Sequence, residues 1–213
     1  ALPISIIDTG SLIVTATDGI LLGQENNLGS VNATNVGGGD VVITNAGAAA
    51  LTVTGVDNFS SGGNVVLASD DMAITGQVVA GNGATVVLQP HDPARGINIE
   101  AGRSAGTLSL NPAELAKVMA GTLKIGRADA TGTVAVSTLV GTGDVSADTL
   151  RLVGNDINIF GGAIGSNIGP FFDHHVQLVG NRDVYAGNIY LADDRNLTVI
   201  ARSEEHTSEL QSR

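Results

Sequence analysis

The run Ile6-Ile7-Asp8-Thr9-Gly10-Ser11 carries the Asp-Thr-Gly triplet of an aspartic protease loop. That chemistry needs two carboxylates sharing one proton at close range. The triplet occurs once, so a protease would need a second copy of the chain. The simpler reading is a turn between Ile4-Ser5-Ile6-Ile7 and Leu12-Ile13-Val14. Asp173-His174-His175 offers a divalent metal its preferred side chains. Neighbours in a strand point to opposite faces, so these two imidazoles share one ion only with the help of a distant third ligand. A surface loop is the expectation there. His91-Asp92 and Arg95 form a polar turn between Leu88 and Ile97, whose functional reading is a carbohydrate contact. Gly37-Gly38-Gly39-Asp40 partly matches a Ca²⁺-binding nonapeptide, but that motif must recur every nine residues and this one does not. Gly141-Thr142-Gly143 opens no helix, and no phosphate-loop lysine follows any glycine run. Asn32-Ala33-Thr34, Asn58-Phe59-Ser60 and Asn196-Leu197-Thr198 match glycosylation acceptors, as an Asn- and Thr-rich chain will. We assign no catalytic residue, no cofactor-binding residue, no metal ligand and no cofactor, and expect a chain that is not an enzyme.

The composition points the same way. The 213 residues hold 10 basic and 21 acidic side chains, a net charge of −11. A nucleic-acid or anionic-membrane surface needs clustered Lys and Arg instead. Two Tyr, four Phe and no Trp leave little aromatic bulk for a substrate pocket. The apolar share of 43% is too high for a disordered chain. Absence of Cys excludes disulfides and thiolate chemistry. No apolar run approaches the roughly 18 residues of a membrane span. The sequence begins at Ala1 with neither Met nor a signal peptide and reads as a fragment.

The elements that would position these residues are short and recurrent. One set of Gly-led triplets ends at Ile43, Leu67, Leu88, Leu110 and Val136, and a second set ends at Val53, Ile74, Ile99, Ile125 and Leu152. Weaker copies occur at Leu12-Ile13-Val14, Ile157-Asn158-Ile159, Val176-Gln177-Leu178 and Leu197-Thr198-Val199-Ile200. Each triplet reads apolar, small or polar, apolar, which is a strand with one buried face. Gly, Asn, Asp and Ser between them suit turns. Two strands per repeat predict an all-β, right-handed parallel β-helix in which successive coils stack at about 4.8 Å. Residues 1–201 then make about eight coils, a rod about 38 Å long. Small aliphatic side chains suit its narrow interior.

One helical insertion is expected near residues 111–120. Asn111 is the N-cap, Pro112 the first helical residue, Glu114 the capping-box partner and Gly121 the stop, with Leu115, Val118 and Met119 on one face. Residues 160–182, with Phe160, Phe171, Phe172 and the paired His, are expected to leave the repeat as a loop. The string from Arg202 to the end breaks with everything before it and resembles a translated sequencing adapter. Residues 202–213 are therefore read as an artefactual or disordered tail, outside the shaft of residues 1–201.

The run Gly106-Thr107-Leu108-Ser109-Leu110, continuing through the helix to Gly121-Thr122-Leu123-Lys124-Ile125-Gly126-Arg127 and Thr131-Gly132-Thr133-Val134, resembles the filamentous-haemagglutinin-like large exoproteins of two-partner secretion. Leu22-Gly23-Gln24-Glu25-Asn26-Asn27-Leu28-Gly29-Ser30-Val31 is similar to their repeat modules. The resemblance spans nearly all of residues 1–201. It implies a right-handed β-helical shaft of a secreted, outer-surface adhesin of a Gram-negative bacterium. Its implied partners are an outer-membrane transporter of the two-partner type and a host-cell or neighbour-cell ligand, glycan or protein. No nucleic acid and no membrane insertion are expected. The family's secretion domain carries Asn-Pro motifs; here Asn111-Pro112 is the one such pair and belongs to the helix, so the shaft is the part resembled. The alternatives are a passenger of a self-transporting autotransporter, or a polysaccharide-acting β-helix enzyme, which would need clustered carboxylates and stacking aromatics.

Overall fold

The computed structural model describes residues 6–59, 62–81 and 83–202. The apolar-x-apolar triplets form strands because alternate side chains point to opposite faces. In Val41–Asn45 and Val65–Ser69, the inward Val41, Ile43, Val65 and Leu67 are fully buried, and Val42 and Val66 between them are half-buried. Each strand pairs in parallel with its counterpart in a neighbouring coil. The longest column runs through Ile20–Leu28, Val41–Asn45, Val65–Ser69, Thr85–Gln89, Val118–Gly126, Ser146–Asn158, His175–Tyr185 and Leu197–Ala201. In it Leu22, Ile43, Leu67, Leu88, Ile125, Leu152, Leu178 and Val199 lie one above another. This is a parallel β-solenoid of about eight coils, the all-β fold class expected.

A second flank stacks Leu12–Ala16, Ser30–Asn35, the end of Leu51–Asn58, Val78–Ala80 and the start of Val118–Gly126. A third holds the start of Leu51–Asn58, Met72–Ile74, Leu108–Leu110, Ile97–Ile99, Thr133–Val136 and the ends of Ser146–Asn158 and His175–Tyr185. Leu139–Val140, Ala163–Ile164 and Asn188–Ile189 make a small additional sheet.

The two expected sets of triplets exchange columns after Leu88. Leu88 is followed in its column by Ile125, not Leu110, while Leu110 pairs with Ile99. The coil between Leu88 and Ile125 is long because the chain goes up to Ile97–Ile99, returns through residues 100–107, and lays Leu108–Leu110 beneath it, beside Met72–Ile74. Leu108–Leu110 forms no ladder with Met72–Ile74. Side chains take its place. Ile74 N donates to Glu114 Oε1 at 3.0 Å, Lys117 Nζ donates to Ile74 O at 2.9 Å, and an Arg103 Nη donates to Met72 O at 2.7 Å.

The helical insertion is shorter than expected. Asn111 caps it and Glu114 closes the capping box, but only Pro112–Leu115 is helical. Lys117 O accepts the N–H of Val78, and Val118 and Met119 align with Val78 and Val79. The pull of that ladder ends the helix. Leu115 and Val118 are buried and Met119 faces solvent, so the three do not share one face. The excursion at 160–182 is also narrower: Phe172 is fully buried and His175–Tyr185 is a tier of the stack, paired with Ser146–Asn158 across one register shift. Arg202 N donates to Gly180 O at 3.1 Å, continuing the last strand into the segment read as tail. The rest of that tail, 203–213, lies outside the described residues, as does Ser60 of the second glycosylation acceptor.

Two corners are held by buried asparagines. Asn26, Asn45 and Ser69 stack at one, and Asn45 Oδ1 accepts the Leu28 N–H at 2.7 Å. At the other, Asn35 Nδ2 donates to Asn58 Oδ1 at 2.8 Å. These amides satisfy backbone groups that turns leave unpaired inside the coil.

In the returning loop, Glu100 accepts from Ser109 Oγ at 2.7 Å and from Ser104 N and Oγ at 2.8 Å. The Ser109 hydroxyl, then those of Ser104, hold its carboxyl below the ordinary 4.5. A depressed carboxyl contributes stability above its unfolded value, and that contribution fades as pH falls through the folded value. Urea midpoints of wild type and Ser109→Ala should therefore differ most at neutral pH, and the difference should shrink as pH falls below the ordinary carboxyl range.

Candidate functional site

The structure scatters the chemically suggestive residues. Asp8 is exposed and its Oδ1 accepts from Asn27 Nδ2 at 2.9 Å. Asp40 Oδ1 accepts the Asn64 N–H at 2.8 Å. His91 O accepts from Arg127 at 2.5 Å, the Asp92 N–H donates to Asp70 Oδ1 at 2.7 Å, and Asp92 Oδ1 accepts the Ala94 N–H at 2.8 Å, so these side chains serve the turn. The paired imidazoles diverge, as neighbours in extended chain must. His174 Nε2 lies 3.0 Å from Thr142 O, while His175 Nδ1 accepts the Asn196 N–H at 3.1 Å. Asp173 holds Arg195 at 2.8 Å. Among the described residues no three His, Asp or Glu side chains converge on one point.

What the stacking does assemble is a groove on the outer side of the second flank. Parallel register places Thr34, Asp57, Val79 and Met119 side by side on four successive tiers. Asn32 and Gln77 lie along the same depression, whose volume is about 520 Å³. Asn32 aligns with Gly55, and a Cβ at that glycine would come 3.2 Å from Asn32 Nδ2, so the missing side chain deepens the groove. Phe59 forms the rim and is 61% exposed. Its N–H donates to Asp57 Oδ1 at 3.1 Å, which ties the aromatic rim to the carboxylate.

The groove combines an aromatic face, a thioether, two amides, a hydroxyl and one carboxylate. Carboxylate-pair hydrolysis of a glycosidic bond needs a second carboxyl within about 10 Å, and the lining holds Asp57 alone. The arrangement can stack on an apolar ring face and hydrogen-bond its polar edge. Sequence reasoning missed this site because its residues are brought together by register. Met119 reads as helical from its spacing, and Thr34, Asp57 and Val79 stand far apart along the chain.

Among the described residues no helix is long and apolar enough to cross a membrane. Compared with known proteins, the chain matches no family model, no curated protein and no solved structure.

Proposed function

We propose that the chain is a section of the repeat shaft of a large, secreted, cell-surface adhesin of a Gram-negative bacterium, a non-catalytic rod that extends and presents contacts for attachment. The reading rests on the resemblance to filamentous-haemagglutinin-like exoproteins. The observation that carries it is the unbroken column from Leu22 to Val199, which keeps its register even where one coil is greatly lengthened. A fold that preserves stacking while its corners vary is suited to length and display. Absence of Cys fits passage through an oxidising periplasm in an unfolded state. Export in this reading uses an outer-membrane transporter partner, and the groove beside Phe59 takes part in holding the ligand of a host or neighbouring cell.

Beads coated with the chain are expected to attach to epithelial or bacterial cell layers above the level of bare beads. Phe59→Ala should reduce that attachment about three- to tenfold, since aromatic stacking is worth about 0.5–1.5 kcal/mol, with thermal stability unchanged. Attachment no better than that of bare beads would overturn the reading. Release of reducing ends from polysaccharides by the purified chain would replace it with the enzymatic one.

A further inference from the structure

The outer side of the longest column carries a charge arrangement that the groove does not use. Lys124 lies directly opposite Arg151 on the neighbouring strand, in a chain whose net charge is −11. Like charges facing each other across parallel strands oppose folding. Four arginines elsewhere are ion-paired: Arg103, Arg127, Arg182 and Arg195 each hold at least one carboxylate. Among the described residues no carboxylate lies within ion-pair reach of Lys124 or Arg151. Arg151 Nε is shielded from solvent and donates to nothing. Asp129, an acid whose charge is felt at Lys124, is already gripped through both oxygens by Arg127 at 2.6 and 2.8 Å.

Val87 flanks Lys124 on one side, and the polar residues around the pair can all donate. Thr122 aligns with Thr149 beside them, and Gln177 sits on the next tier, opposite Arg151. All are half-buried, on the outward positions between buried Leu123, Ile125, Leu150 and Leu152. We propose that Lys124 and Arg151, with the Thr122 and Thr149 hydroxyls and the Gln177 amide, form a binding site for an oxyanion group, a carboxylate or a sulfate. One oxygen pair placed between the outer ends of the two cations turns their repulsion into two charge-assisted hydrogen bonds. The Lys124 ammonium is depressed below its ordinary value, first by burial and then by Arg151, in keeping with a site lacking its counter-charge.

The test uses the full chain, with inorganic sulfate and oligogalacturonate as separate probes in calorimetric titrations and in backbone amide NMR. The expected result is saturable binding of at least one probe, with shifts confined to strands Val118–Gly126, Ser146–Asn158 and His175–Tyr185. Lys124→Met and Arg151→Gln should each weaken it about tenfold, and Phe59→Ala should not. Both variants should melt no lower than wild type, because a repulsion has been removed. Sulfate binding as tight as that of the oligosaccharide identifies a free ion as sufficient; binding of the oligosaccharide alone identifies a uronate chain. Failure of both probes to bind wild type, shifts mapping elsewhere, or unchanged binding in the double variant would overturn the proposal.

Discussion

Glu114→Ala is expected to lower stability by about 3 kcal/mol, a fall in melting temperature of about 6–12 °C for a chain of this size. The carboxylate is 7% exposed and ion-paired to Arg103. It accepts the N–H of Ile74 at 3.0 Å and that of Asn111 at 2.9 Å. Its removal leaves a buried N–H of Met72–Ile74 without an acceptor, opens the capping box of Pro112–Leu115, and strips Arg103 of one of its two carboxylates. Glu114→Gln keeps one acceptor and should recover part of the loss. Thermal melts followed by circular dichroism measure both. An unchanged melt for the alanine variant would mean that apolar packing of Leu108–Leu110 alone holds that edge.

Gly126→Ala should be the most damaging small substitution, costing about 4 kcal/mol. Gly126 has φ +102°, where side chains are strained, and an added Cβ would lie 1.8 Å from Val153 O, on the strand directly opposite. The carbonyl cannot retreat without breaking the ladder of Ser146–Asn158. Gly143→Ala is the control: nothing lies within 4 Å of a Cβ there. Denaturant midpoints of the two variants should separate clearly. Equal midpoints would show that the ladder at Val153 yields cheaply.

The strands were readable because a triplet such as Val176-Gln177-Leu178 announces its buried face locally. Column membership was not. Leu108-Ser109-Leu110 and Leu123-Lys124-Ile125 have the same pattern, and nothing within either triplet says which one stacks on Leu88. The deciding signals lie outside them, in the hydrogen bonds of Arg103, Glu114 and Lys117 that fasten the returning chain to Met72–Ile74. The asparagines were readable as turn residues but not as buried ones, since an amide that solvates a turn from outside and one that fills a corner from inside have the same sequence. Lys124 and Arg151 were visible as charged centres of triplets. That they face one another is a fact of register.

The backward step of the chain at residues 97–110 has a consequence for the order of assembly. A solenoid emerging from its N-terminus can lay each coil on the one just completed, because the ladder groups it needs are already in place. Through Leu88 this chain can do so. Ile97–Ile99 instead rests on Leu108–Leu110, eleven residues further along, so its support is synthesised after it. Glu114 and Lys117, later still in the chain, reach back to fasten the returning chain at Ile74. Growth of the rod thus passes through one step at which the chain runs ahead and closes beneath itself on the third flank, while in the longest column Ile125 still stacks directly on Leu88.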